Sequence, residues 1–211
     1  VRRTKPSGSS IYDPEAGWAQ LPGFLSEADV VEAVSICGRL LALPPSERRA
    51  GDKPGAGTHH LFELDGRSEL IDDLLDRSAL IEIVTDILGP SFHRSQVSYR
   101  SPQPGFGGQQ LHADDPPKLT QGPDSVATAI IALTSFTRDN GPTRLVPGSH
   151  RRPDLQRLAG RLEGHRDQIL LTGNAGTAFV FSGHVLHSGT TNTSTSGRPA
   201  LQLVWRTSPT S

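Results

Sequence analysis

From Phe92 to Thr207 the chain is cut into short apolar runs by Gly, Pro, Asn and Asp, and this punctuation restricts the fold more than any other feature. The runs are Phe92–Arg100, Gln109–Ala113, Val126–Phe136, Thr143–Val146, Gln168–Leu171, Thr177–Phe181, Leu186–Thr190 and Ala200–Thr207. Their turn-forming boundaries and apolar content are those of strands. With 22 Gly and 17 Pro in 211 residues, a turn-rich, strand-rich fold is favoured over a helical bundle.

The first third reads differently. Gly17 to Phe24 suggests a short strand ending in a turn. Ser26 has the character of an N-cap, with Glu27 and Asp29 in the first turn. Val30, Val31, Ala33, Val34, Ile36, Leu40 and Leu41 follow at helical spacing, so residues 27–42 are expected to be a helix that Pro44-Pro45 stops. Residues 46–60 read as an irregular loop. Helical spacing returns over 67–75 and 78–88 and ends at Gly89-Pro90. The expected fold is mainly β, a small barrel or jelly roll with bracing helices. Residues 1–16 are expected to be a flexible arm and 17–211 one domain. The loop at 115–125 is expected to be mobile and, with 46–60, to close over a substrate.

Composition narrows the chemistry. Net charge is -1, so no basic excess marks a nucleic-acid surface and no like-charge block marks a membrane surface. The one cysteine, Cys37, rules out an internal disulfide framework and a Cys-based zinc site, and its place on an apolar helix face suggests a small buried hydrophobe. Neither a signal-peptide pattern nor a transmembrane run is found, so the cytoplasm is the expected compartment.

His112-Ala113-Asp114 is the first chemical constellation. On a strand, residues i and i+2 share a face, so an imidazole and a carboxylate can reach one metal ion. Alone, the same letters also describe a surface pair beside a turn. The second constellation runs from His184 through His187 to Asn192 and Arg198. A second His would complete a facial triad with three open coordination positions. Arg198 reads either as a surface residue beside Gly197 and Pro199 or as an inward-facing cation. No acidic residue lies in 186–211, so an inward Arg198 calls for a ligand carboxylate held by its guanidinium fork. The third segment, Asp139-Asn140-Gly141-Pro142 to Pro147-Gly148-Ser149-His150, reads as two turns around a short strand, with His150 a loop residue rather than a ligand.

Taken together, these segments resemble the phytanoyl-CoA dioxygenase family of iron(II)/2-oxoglutarate oxygenases. The shared pattern is His-x-Asp, Asn-Gly-Pro followed by Pro-Gly-Ser-His, and a distal His with Asn five and Arg eleven residues on. His187, Asn192 and Arg198 have those spacings, whereas His184 stands fourteen residues before Arg198. The resemblance runs from about residue 17 to 207. It implies a double-stranded β-helix (jelly-roll, cupin-like) core with N-terminal helices, that His112, Asp114 and His187 hold iron(II), and that Arg198 binds the distal carboxylate of 2-oxoglutarate. It places Arg100 near the cosubstrate, with Gln96, Thr128 and Tyr99 as further candidates. Relatives often carry Ser two residues after the distal His; here that residue is Gly189, flanked by Ser188 and Thr190, and Ser188 is the candidate hydroxyl.

The implied activity is a dioxygenase that spends O2 and 2-oxoglutarate to hydroxylate a C–H bond of a small-molecule metabolite or natural-product intermediate. Halogenating relatives replace the triad carboxylate with a small residue, and Asp114 argues for the hydroxylase type. Two other readings remain: a cupin-like metalloprotein of other chemistry, and a catalytically silent binding domain. Cosubstrate turnover separates them.

Overall fold

The computed structural model describes residues 11–49, 51–52, 57–116 and 122–208. The elements run β1 (Trp18–Leu21), α1 (Glu27–Leu41), β2 (Thr58–Leu61), α2 (Glu69–Leu75), α3 (Ser78–Leu88), β3 (Phe92–Pro102), β4 (Val126–Ala132), β5 (Thr143–Leu145), α4 (Pro153–Gln156), β6 (Ile169–Leu170), β7 (Ala178–Ser182), β8 (His187–Gly189) and β9 (Ala200–Thr207). One antiparallel sheet has the order β1-β7-β4-β9-β3-β2, and a second has the order β6-β5-β8. The architecture is the double-stranded β-helix that the family resemblance implies, with helices N-terminal to most of the sheet.

The larger sheet separates two environments through the two-residue period of its strands. Ala127, Ala129 and Ile131 of β4, Val180 of β7 and Leu201, Leu203 and Trp205 of β9 face the helices. Against them pack Ala33, Ile36 and Cys37 of α1 and Leu80, Ile83, Val84 and Ile87 of α3. Burial drives this docking at roughly 1.5–3 kcal/mol per large aliphatic side chain. The alternate residues Ile130, Phe179, Phe181 and Ala200 face inward and meet Leu145 of the smaller sheet. β4 is therefore buried along its whole length. Cys37 is fully buried, and burial pushes its thiol up to about 12.

Local signals explain the helix ends. Ser26 Oγ accepts from the Asp29 N–H at 3.1 Å, and Asp29 Oδ2 accepts from the Ser26 N–H at 3.1 Å, a reciprocal cap. Arg77, just before α3, donates to the same carboxylate at 3.1 Å and so joins the two helices.

Several expectations need correction. Thr58–Leu61 is a strand, not part of an irregular loop, because β3 offers it an unpaired edge; its own sequence has no apolar alternation. Gln109–Ala113 is not a full strand: among the described residues it makes one bridge, His112 to His187. The strand expected to reach Phe136 ends at Ala132. Of the expected arm, residues 1–10 lie outside the described residues. Tyr12 is buried, Ala16 O accepts from Gly148 N–H at 2.9 Å, and Pro14 O accepts from His150 Nε2 at 3.2 Å, so 12–16 pack on the turn before α4. Residues 50, 53–56 and 117–121, the centres of the two expected closing loops, also lie outside the described residues. None of the described helices is long and apolar enough to cross a membrane.

Candidate active site

His112 and His187 sit opposite one another across an antiparallel bridge, each backbone N–H donating to the other's carbonyl at 3.0 and 2.8 Å. That pairing puts the two imidazoles side by side, with centroids 4.6 Å apart. Two residues on, Asp114 N–H donates to Gly183 O at 2.7 Å, which turns the carboxylate toward the same point. Ligand atoms of His112, Asp114 and His187 all lie within 4.8 Å of one another. Asp114 Oδ1 is 3.6 Å from His187 Nε2.

The protein also fixes which nitrogens are available. His112 Nδ1 donates to Gln110 O at 2.8 Å, and His187 Nδ1 donates to Val185 O at 2.9 Å. Both Nε2 lone pairs are thereby left for a metal. Burial, the largest influence, lowers the His187 pKa; Asp114 opposes it and His112 adds to it. The neutral form is the one that ligates. Thr128 Oγ1 donates to Asp114 Oδ2 at 2.8 Å and orients the carboxylate. Two imidazole nitrogens and one carboxylate oxygen on one side suit an octahedral iron(II) with open positions.

Beside the triad lies a cavity of about 130 Å³ whose wall includes His112, His187, Arg100, Gln109, Arg198 and Gln202. Arg198 is 4% exposed, and its guanidinium lies 4.3 Å from the Phe136 ring centroid. Its Nε and Nη1 have no hydrogen-bond partner, and neither has the buried Nε of Arg100. Burial first, then Arg100, push the Arg198 pKa down to about 9. Burial lowers that of Arg100 too. A buried and a half-buried cation, each with a buried unused donor, are unfavourable in the protein alone, and an anion that fills the cavity would satisfy them. A dicarboxylate suits this donor set.

The loop before β9 sets Arg198 in place. Asn192 Nδ2 donates to Pro102 O at 3.0 Å and Ser196 O at 2.8 Å, and Arg198 N–H donates to Pro102 O at 3.0 Å. Gly141 abuts the same loop: its φ is +77°, and a Cβ there would stand 2.9 Å from Asn192 N. Asn192 and the Asn-Gly-Pro turn are thus supports for the arginine.

The structure brings His112, Asp114, His187, Arg198 and Arg100 together. It places the other candidates elsewhere. Ser188 is fully buried and its hydroxyl accepts from Arg144 Nε at 2.7 Å; neighbours on a strand face opposite ways, so Ser188 points away from the cavity that His187 and Gly189 line. Thr128 serves Asp114, as above, and does not line the cavity. Gln96 shares a strand face with Arg100 but stands four residues away, about 13 Å at strand rise, and its amide donates to Ser98 Oγ at 3.1 Å. Tyr99 packs in the helix-facing core. His184 has both ring nitrogens engaged, Nδ1 donating to Pro116 O at 2.6 Å and Nε2 accepting from Ser125 N–H at 3.1 Å. Sequence reasoning missed Gln109, Phe136 and Gln202; nothing short of the strand pairing marks their faces.

A double-stranded β-helix with a two-His, one-carboxylate centre beside a cationic cavity defines the class of mononuclear facial-triad metal proteins. The phytanoyl-CoA dioxygenase (PhyH) family model matches residues 14–200, and the chain belongs to that family. It is 31% identical to "Dioxygenase cdmA" of Talaromyces verruculosus over 71% of the chain and 53% of that protein. It is 33% identical to "Multifunctional dioxygenase prhA" of Penicillium brasilianum over 54% of the chain and 42% of that protein. The chain thus spans about half the length of these curated relatives. An L-proline trans-4-hydroxylase of Streptomyces griseoviridis is 27% identical over 90% of the chain and 82% of the hydroxylase. Among solved structures, the non-heme alpha ketoglutarate dependent carbocyclase SnoK from nogalamycin biosynthesis superposes with TM-score 0.73 at 22% identity, covering 95% of this chain and 84% of that one. HygX from Streptomyces hygroscopicus, solved with nickel, 2-oxoglutarate and hygromycin B, gives 0.71 at 14% identity, covering 92% and 84%. These two likenesses bear on the fold.

Proposed function

We propose that this protein is an iron(II)- and 2-oxoglutarate-dependent dioxygenase that hydroxylates, or otherwise oxidises, a C–H bond of a small-molecule natural-product intermediate. One observation carries the reading: a His-Asp-His cluster opens onto the cavity that holds the unpartnered buried donors of Arg198. His112, Asp114 and His187 would hold iron, and Arg198 the distal carboxylate of 2-oxoglutarate, with Arg100 as a second cation. When bound, the metal and cosubstrate together supply the activation of O2. The chain's own residues orient the carboxylate ligand through Thr128, hold both imidazoles in one tautomer and keep the cosubstrate's far end away from water. The presence of Asp114 supports hydroxylation over halogenation, and the likeness to SnoK of nogalamycin biosynthesis and to HygX solved with hygromycin B supports the substrate class.

Anaerobic titration of the apo-protein with iron(II) and 2-oxoglutarate tests this by the visible charge-transfer band of the chelate. The band is expected in the wild type, is expected to vanish in Asp114→Ala, and to need at least about tenfold more cosubstrate in Arg198→Ala, the loss of one charge-assisted hydrogen bond. Folded, metal-loaded protein that shows no band would overturn the proposal.

A further inference from the structure

Gln109 lies on the segment that carries His112. Its Oε1 accepts from Arg100 Nη1 at 3.0 Å and from Gly189 N–H at 3.2 Å, while its backbone N–H donates to Gly189 O at 2.9 Å. A Cβ on Gly189 would stand 2.5 Å from Gly107 O and 3.2 Å from Gln109 Oε1, so this approach depends on glycine at 189. Gln109 thus connects β3, which carries Arg100, to β8, which carries His187. Among the described residues it is also the one hydrogen-bond acceptor that the side chain of Arg100 meets, and it is neutral.

That neutrality has an electrostatic consequence. A carboxylate at the same place would satisfy Arg100 with a charge of its own. An amide oxygen satisfies one donor and leaves the positive charge standing. Among the described residues no acidic group acts on Arg100 or Arg198, and the Nε of each is buried without a partner. We propose that Gln109 is a positioning residue that fixes Arg100 as a second, uncompensated cation beside Arg198, so that the cavity selects a doubly charged acid over a singly charged one. This inference rests on the cosubstrate reading above.

The test compares two acids with the same 2-oxo acid head and chain length: 2-oxoglutarate, and 2-oxopentanoate, which lacks the distal carboxylate. Each is titrated anaerobically into iron(II)-loaded protein, with a thermal melt of the apo-protein beside it. Gln109→Glu is nearly isosteric and keeps the acceptor. It is expected to weaken 2-oxoglutarate about 10- to 100-fold, the range for losing one charge-assisted contact, with 2-oxopentanoate unchanged and the melting temperature equal or higher. Gln109→Met, which keeps the length and drops the acceptor, is expected to show the same selective loss at a few-fold, and stands in should the Glu variant fail to fold. Equal weakening of both acids, or no weakening of either, would overturn the inference and leave the cosubstrate reading intact. Wild-type protein that binds neither acid would overturn both.

Discussion

Two buried arginines occupy opposite parts of the same β-helix, and their surroundings differ in one respect. Arg144, on the smaller sheet, is 4% exposed, as is Arg198 at the mouth of β9. Around Arg144 the protein supplies every partner: Nε donates to Ser188 Oγ at 2.7 Å, Nη1 to Glu163 O at 2.8 Å, and Nη2 to Arg161 O at 3.1 Å and Gln109 O at 3.3 Å. Around Arg198 it supplies an aromatic face and leaves Nε and Nη1 unused. The two histidines repeat the contrast. His184 spends both nitrogens within the protein, whereas His187 spends one and leaves Nε2 facing Asp114. Residue type and burial do not separate a structural group from a site group here; unspent hydrogen-bonding capacity does.

The histidine pair offers the largest break in this contrast. His187→Ala is expected to abolish detectable iron(II) binding, since it removes one of the three protein ligands proposed above. His184→Ala should keep iron affinity within about threefold while costing about 1–2 kcal/mol of stability through the lost bonds to Ser125 and Pro116. Metal titration and urea melts of both variants decide it; iron loss in His184→Ala would undo the assignment.

Next in size is the arginine pair, measured as apo-protein stability. Arg144→Met removes the donor from the Ser188 hydroxyl and from the Glu163 and Gln109 carbonyls, while Arg161 O keeps the Leu111 N–H, a cost of about 3–5 kcal/mol. Arg198→Met removes a buried cation that had no anionic partner, so stability is expected to hold or rise. Equal losses in the two variants would show that Arg198 is as structural as Arg144.

The sequence discloses the parts of this picture that depend on neighbours along the chain. The turn-bounded apolar runs of β4, β7 and β9 and the Ser26 cap were readable because each is local. The triad was readable because the family resemblance joins His-x-Asp to a distal His that Asn and Arg follow at fixed spacing, as Asn192 and Arg198 follow His187. Gln109, Phe136 and Gln202 were not, because only the pairing of β3, β4, β8 and β9 brings their faces to one cavity. Ser188 shows a different failure: once His187 is placed facing the metal, strand parity already turns its neighbour away, so the proximity of a hydroxyl in sequence was a poor guide. Thr58–Leu61 was hidden because an edge strand can be held by its partner's hydrogen bonds with little apolar pattern of its own.

Thr128 gives the smallest and most discriminating comparison, because it separates contact with the cosubstrate from support of the metal. Its hydroxyl donates to Asp114 Oδ2 at 2.8 Å, and its strand neighbours Ala127 and Ala129 face the helices. Thr128→Val keeps the shape and removes only that donor. Losing an outer-shell partner of a ligating carboxylate costs about 10- to 100-fold in metal affinity. The variant should therefore bind iron(II) more weakly and, once saturated with iron, bind 2-oxoglutarate as the wild type does. The opposite pattern, intact iron affinity with weakened cosubstrate, would return Thr128 to the cosubstrate pocket where the family resemblance first put it.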